Sequence, residues 1–287
     1  MSEEIDFNKL AVELVNKNME SFLNTGKGVL KGARDKIRLH LHRSYKDYLS
    51  CVTTRYSKAK SFFIRDEPTY LYNFYVPMGI SSKGASIKSA SIGRISRVNP
   101  FAVITGTGGS GKSMLMRHLF LDTIRELKKV PVFLELRELN NSDQSLTSLI
   151  QNTLHSNHFD LDNDYIEKAM RSGHFAFLLD GFDEIAEGRR SEVSKQIVRL
   201  AQNYDDNLII VSSRPDEEFS RWAPFNVFAI DELTLDQATE LVEKLPFESD
   251  VKTKFTKDLH QRLFRQHKSF LSNPLLLSIM LLTSRFQ

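Results

Sequence analysis

The sequence predicts an α/β fold: a five-stranded parallel sheet with helices on both faces, preceded by an α-helical N-terminal region and followed by a helical subdomain. Three observations predict it. From about residue 98, short apolar runs alternate with segments of helical periodicity, the pattern of parallel strands joined by crossover helices. The first of these runs enters a glycine-rich segment that opens a helix. After about residue 234 the strand-like runs stop and only helical periodicity remains. These shifts divide the chain into residues 1–95, 96–232 and 233–287.

In the first part, Phe7, Leu10, Leu14, Val15, Phe22 and Leu23 fall on one helical stripe over residues 5–23, which Gly26 and Gly28 interrupt. A second helix is expected over about 32–60, with Leu41, Tyr45, Tyr48, Leu49, Val52 and Tyr56 along one side. Residues 70–76 (YLYNFYV) are aromatic-rich, stop at Pro77 and predict a strand. Residues 79–93 are rich in Gly, Ser and Lys and predict a loop or linker with room for a short strand. The five sheet strands are expected at 101–105, 131–136, 175–179, 208–211 and 225–230. Helices are expected at 112–127, 145–156, 164–171 and 190–203. In the last part, helices are expected at 236–245 and 250–266, and Pro274 opens an apolar helix. That helix reaches Arg285-Phe286-Gln287 without a cap or polar tail, which predicts that further chain covers it.

Composition narrows the class. Of 287 residues, 41% are hydrophobic and 26% charged, which excludes disordered, collagen-like and rod-like chains. Cys51 is the only cysteine, so no intramolecular disulfide forms; it reads as a packing residue. The N-terminus lacks the basic and apolar regions of a secretory signal. The longest apolar stretch, Pro274–Leu282, is shorter than the roughly 20 residues a spanning helix needs. These features predict a cytoplasmic protein. The net charge is +3, yet residues 27–65 hold eleven Lys or Arg against only Asp35 and Asp47. Such a segment suits nucleic acid, an acidic partner or an anionic membrane; the plainer reading is a solvated helix face.

The chemistry concentrates in three places. Gly106-Thr107-Gly108-Gly109-Ser110-Gly111-Lys112-Ser113 fits G-x-x-x-x-G-K-[ST], between a strand and a helix as that motif requires. The glycines let backbone N–H groups face phosphate oxygens, and the helix directs its positive end at them. Lys112 is placed to reach the β- and γ-phosphates, and Ser113 to offer its hydroxyl to Mg²⁺. Met114 completes the candidate nucleotide-binding set. Second, the apolar run 175–179 ends in Asp180, a Walker B pattern that sets a carboxylate beside the Mg²⁺. Asp183 and Glu184 follow, and either carboxylate, Glu184 first, is a candidate to orient or deprotonate an attacking water. Third, the run 208–211 ends in Ser212-Ser213-Arg214. Arg214 is a candidate γ-phosphate sensor, its alternative being a surface residue paired with Asp216 or Glu217. Together these motifs predict a P-loop NTPase of the ASCE or AAA+-like kind, with ATP and Mg²⁺ as cofactors.

GTGGSGKS, LLDGFDEI and VSSRP, in this order, closely resemble the NACHT group of STAND NTPases. The glycine directly after Asp180, with an acidic pair shortly behind it, is typical of that group. FAIDELTLDQATEL and NPLLLSIMLL are also similar to NACHT sequence, so the resemblance covers about 98–285. It implies that Pro274 opens the first helical subdomain and contacts adenine. Proteins of this kind continue into a winged-helix domain whose His contacts the nucleotide phosphate, a region beyond the residues given. The resemblance implies a slow signalling ATPase whose ATP or ADP state governs homo-oligomerisation in answer to a protein trigger. Bacterial proteins of this appearance serve in antiphage defence and animal ones in innate immunity. The segment before residue 95 carries no nuclease, protease or TIR-like signature, which leaves its helices an adaptor or assembly role. The alternative is an AAA+-type remodelling or motor ATPase acting on DNA or protein. A GTPase is disfavoured because no N-K-x-D element follows, and a small-molecule kinase because no arginine-rich lid is evident.

Overall fold

The computed structural model describes residues 12–16, 31–61, 64–126, 129–141 and 143–284. Of the predicted first helix, only residues 12–16 fall within these, with Leu14 and Val15 buried; Phe7, Leu10, Phe22, Leu23 and the two glycines lie outside, as do residues 285–287.

Helix α1 (Lys31–Tyr56) buries Leu41, Tyr45, Tyr48, Leu49, Val52 and Tyr56. Its tyrosines fix it to the body of the protein. The Tyr45 and Tyr165 hydroxyls lie 2.9 Å apart, and Tyr48 donates to the Pro131 carbonyl at 2.7 Å. Tyr56 packs against Phe120 and Phe133. Strands β1 (Lys58–Ser61) and β2 (Ile64–Tyr70) form a separate antiparallel pair.

The aromatic run 70–76 does not continue as a strand. It turns tightly over Leu71–Asn73, where the Phe74 and Tyr75 N–H groups donate back to the Leu71 carbonyl. Residues 74–78 then run on as a strap without a strand partner. Lys244 donates to the Tyr75 carbonyl and Gln237 to the Pro77 carbonyl, both at 2.7 Å, and the Ala90 N–H donates to the Met78 carbonyl at 2.9 Å. The aromatic side chains of 70–76 reflect burial between two layers rather than membership of a ladder. Short strands β3 (Ile80–Ser81) and β4 (Ser86–Ile87) follow, then helix α2 (Ile92–Val98).

The main sheet contains β3 and β4 together with β5 (Phe101–Thr105), β6 (Val130–Glu135), β7 (Phe175–Asp180), β8 (Leu208–Ser213) and β9 (Asn226–Ile230). Its seven strands run in the order β4-β3-β9-β5-β8-β7-β6. The five long strands are parallel, and β3 and β4 extend the β9 edge in antiparallel pairing. Nearly continuous apolar runs in β5, β7 and β8 meet the demand that both faces be covered, and these strands are buried almost throughout. Around them pack α3 (Lys112–Glu126), α4 (Leu146–Ser156), α5 (Asn163–Arg171) and α6 (Glu187–Asn203).

Helices α7 (Leu235–Lys244), α8 (Ser249–Asp258) and α9 (Pro274–Ser284) form the last layer. Thr234 and Gln237 cap α7 reciprocally. A second apolar cluster joins Leu233, Leu241, Val242, Phe255, Leu277 and Leu281 of this layer to Val76 and Met78 of the strap. Among the described residues, no helix is long and apolar enough to cross a membrane.

Candidate functional site

Parallel strands place their C-terminal tips side by side, and register decides which residues meet there. Leu179 of β7 pairs with Val211 of β8, so Asp180 and Ser212 emerge as neighbours; on the other side Glu135 of β6 pairs with Asp180. The Ser212 hydroxyl donates to Asp180 and accepts the Gly181 N–H at 3.0 Å. Burial raises the pKa of the Asp180 carboxyl, and hydrogen bonds from Ser212 and Ser113 partly offset this. Gly181 has φ +80°, a left-handed conformation that turns the chain sharply after the strand.

The glycine loop lies beside this tip. The Gly106 N–H donates to the Ser213 carbonyl at 3.1 Å, anchoring the loop to β8. Lys112 Nζ donates to the Gly106 and Thr107 carbonyls at 2.7 and 3.0 Å, holding the ammonium over the loop. Partial burial lowers the Lys112 pKa, while Asp183 raises it and Arg214 lowers it. A Cβ at Gly108 would meet nothing within 4 Å, so the loop is open on that side.

A cavity of about 410 Å³ joins these parts. Its sheet side contains Gly108, Gly109, Ser110, Gly111, Lys112, Ser113, Met114, Asp180, Asp183, Glu184 and Arg214. Its helical side contains Tyr75, Val76 and Met78 of the strap, Leu241 and Leu245 near the end of α7, and Pro274 and Leu275 of α9. The structure thus brings nearly all the predicted site residues together. Gly106 and Thr107 stand behind the loop and hold Lys112 rather than lining the cavity. Asp183 pairs with Arg214: its carboxylate lies 3.1 Å from Arg214 Nε and accepts the Arg214 N–H at 3.0 Å. The Arg214 partner is therefore neither Asp216 nor Glu217. Glu184 is more exposed and stands 3.8 Å from Arg137, which also pairs with Glu135. Asn140 secures the acidic loop, donating to the Glu184 carbonyl at 2.9 Å and accepting the Ala186 N–H at 2.8 Å.

Sequence reasoning missed Ser212, Asn140 and the strap. Aligning the two apolar runs that end at Leu179 and Val211 points to Ser212 as the neighbour of Asp180. The strap carries no comparable signal, because its apolar side chains match any buried segment.

The donor set suits a nucleotide with a hard divalent cation. Asp180 and Ser113 carry oxygen donors of the kind Mg²⁺ takes. The desolvated Asp180 carboxylate is the kind of group that gains from a cation beside it. An apolar recess next to a polar loop matches a purine base next to its phosphates.

A search of curated proteins finds no relative matching this sequence. Among solved structures the chain is similar to PCH-2 from C. elegans (14% identity, TM-score 0.39) over 67% of this chain and 63% of that one. It is also similar to AMPPCP-bound DnaA from Aquifex aeolicus (14% identity, TM-score 0.35) over 58% of this chain and 56% of that one. In both cases the chain spans less than two thirds of the other protein's length. Residues 101–249 match the family model of the NACHT domain, from the first residue of β5 to the first of α8. That match covers more than half of the 287 residues, and the chain belongs to the NACHT-domain family of P-loop NTPases.

Proposed function

We propose that this chain is an ATP-binding signalling switch, a slow ATPase whose nucleotide state governs the position of the helical layer and, through it, homo-oligomerisation. One observation carries the reading: a single cavity is walled by the glycine loop and Asp180 on one side and by the strap and helices α7 and α9 on the other. A nucleotide filling it would touch both layers, so its binding would favour the arrangement in which they are closed together.

In this reading the loop N–H groups from Gly108 to Ser113 and the Lys112 ammonium hold the phosphates. Ser113 and Asp180 hold Mg²⁺, which supplies charge neutralisation at the phosphates. Pro274 and the strap enclose the base. Glu184 orients the attacking water, and Asp183 holds Arg214 toward the γ-phosphate. Residues 96–232 form the nucleotide-binding unit, 1–95 the helical region and linker, and 233–287 the start of a helical subdomain. A protein trigger and a place in antiphage defence complete the reading on the strength of the family resemblance.

The test is ATP and GTP binding with Mg²⁺, by titration calorimetry, on the native chain and Lys112→Ala, with particle size measured in the same samples. Tight ATP binding lost in the variant, slow turnover and a nucleotide-dependent size support the switch. Fast turnover stimulated by DNA supports a remodelling motor instead. A folded native chain that binds neither nucleotide overturns the reading.

A further inference from the structure

Helix α9 meets the phosphate loop directly. Asn273 precedes the helix, and its Oδ1 accepts the N–H groups of Leu275 and Leu276 at 3.0 and 3.2 Å, an N-cap. Its Nδ2 donates to the Gly108 carbonyl at 3.1 Å, and the Leu275 N–H also lies 3.3 Å from the Gly109 carbonyl. Loop and helix touch so closely that a Cβ at Gly109 would stand 2.6 Å from Leu275 Cβ; Gly109 also has φ +76°. Only glycine permits this approach.

We infer that Asn273 is a positioning residue that latches the phosphate loop to helix α9, so that ordering of the loop by a nucleotide is transmitted to the helical layer. The inference rests on the nucleotide-binding reading above and adds the physical link. A peptide unit is planar, with its C=O opposite the N–H of the next residue. Holding the Gly108 and Gly109 carbonyls therefore fixes the directions of the Gly109 and Ser110 N–H groups. Latch and phosphate contact use opposite sides of the Gly108–Gly109 plane; on the next plane the Ser110 N–H also donates to the Thr107 carbonyl at 3.3 Å, a bond that phosphate would share. Phosphate on the N–H side polarises each plane and strengthens the bond on its carbonyl side.

Residue choice supports the same conclusion. Ser and Asp cap a helix as well as Asn does, but neither offers an amide donor beside its acceptor. Gln237 repeats the device elsewhere in the helical wall. Its Oε1 accepts the Thr234 N–H at 2.9 Å to cap α7, and its Nε2 donates to the strap at Pro77. In both cases one amide caps a helix and ties that helix to the site.

Linkage makes the inference quantitative: the factor by which nucleotide closes the latch is the factor by which the latch tightens nucleotide. The test uses the full chain with Mg²⁺·ADP as the probe, in native form and as Asn273→Ser and Asn273→Asp. Both variants keep a capping oxygen and lose the donor to Gly108, and Ser does so without adding charge. Hydrogen exchange is followed over residues 106–113 and 274–284, and ADP affinity by titration. In the native chain ADP is expected to slow exchange in both segments, by about tenfold in α9. In both variants the loop still responds, the α9 response is reduced several-fold because only the Leu275 bond to Gly109 remains, and affinity falls by about three- to tenfold. Thermal melts of the variants check that α9 remains folded. A native chain in which ADP protects the loop but not α9, or variants in which α9 responds in full, overturns this inference alone. A native chain that binds no nucleotide overturns the parent reading and this one with it.

Discussion

The two walls of the cavity are built in opposite ways. The sheet wall is polar and local: Gly108–Ser113, Asp180–Glu184 and Ser212–Arg214 each follow the tip of a parallel strand, and strand register brings them side by side. The helical wall is largely apolar and dispersed, joining Val76 and Met78 to Leu241 and Leu245 across more than 150 residues of sequence. The family match covers the first wall and leaves out the strap, Asn273 and Pro274 of the second. Phosphate chemistry demands particular atoms at particular spacings, whereas enclosing an aromatic base demands only apolar surface of the right shape.

Four experiments sharpen this contrast, beginning with the largest effect. Lys112→Ala removes the ammonium of the polar wall and should weaken ATP binding by about a hundredfold, read by titration calorimetry, with the melting temperature nearly unchanged.

The second acts where the walls join. His118 on α3 stacks on Tyr75 of the strap with ring centroids 4.7 Å apart, and its Nδ1 lies 3.2 Å from the Tyr72 hydroxyl. Burial lowers its pKa from 6.5 to about 4, with an Ala90 backbone hydrogen bond and Glu126 raising it and Arg125 lowering it. The folded chain therefore favours neutral imidazole. The stability this represents is present above pH 6.5 and is lost as pH falls through about 4, up to about 3 kcal/mol. Urea unfolding at pH 7 and pH 4.5 should show the loss, and His118→Gln should reduce it; an unchanged slope in the variant would dissociate His118 from the effect.

Third, Leu241→Ala opens the apolar wall. It should cost about 2 kcal/mol of stability and weaken ATP by about fivefold with Mg²⁺ dependence intact, checked by denaturation and by titration with and without the metal. A loss of Mg²⁺ dependence would show that the walls are not separable.

The smallest stability effect has the opposite sign. Because burial raises the Asp180 pKa, the folded chain favours its protonated form. Stability from this source is greatest below the ordinary Asp range and is lost as pH rises through the raised folded value, so ionised Asp180 is a cost at pH 7. Asp180→Asn should therefore raise the melting temperature of the nucleotide-free chain at pH 7, while abolishing Mg²⁺-dependent binding.

The same contrast explains what could be read from sequence. The parallel strands were legible because β5, β7 and β8 are apolar up to their C-terminal tips, and the glycine loop because its spacing is dictated by phosphate. The run 70–76 misled because Leu71, Phe74 and Tyr75 are buried as a strand's residues would be, while their backbone hydrogen bonds go to a turn and to Lys244. The partner of Arg214 was hidden because Asp183 lies 31 residues earlier, on the tip of an adjacent strand.

The outer edges of the sheet carry a consequence for assembly. At one end β4 has two residues, too few to template another strand. At the other, β6 contains Pro131, which has no N–H to offer, and Tyr48 already occupies its carbonyl. Neither margin is ready to accept a strand from a second molecule. Copies of this chain that gather into a larger particle would therefore gain little by extending the main sheet, and contacts that leave this sheet unextended can be released again.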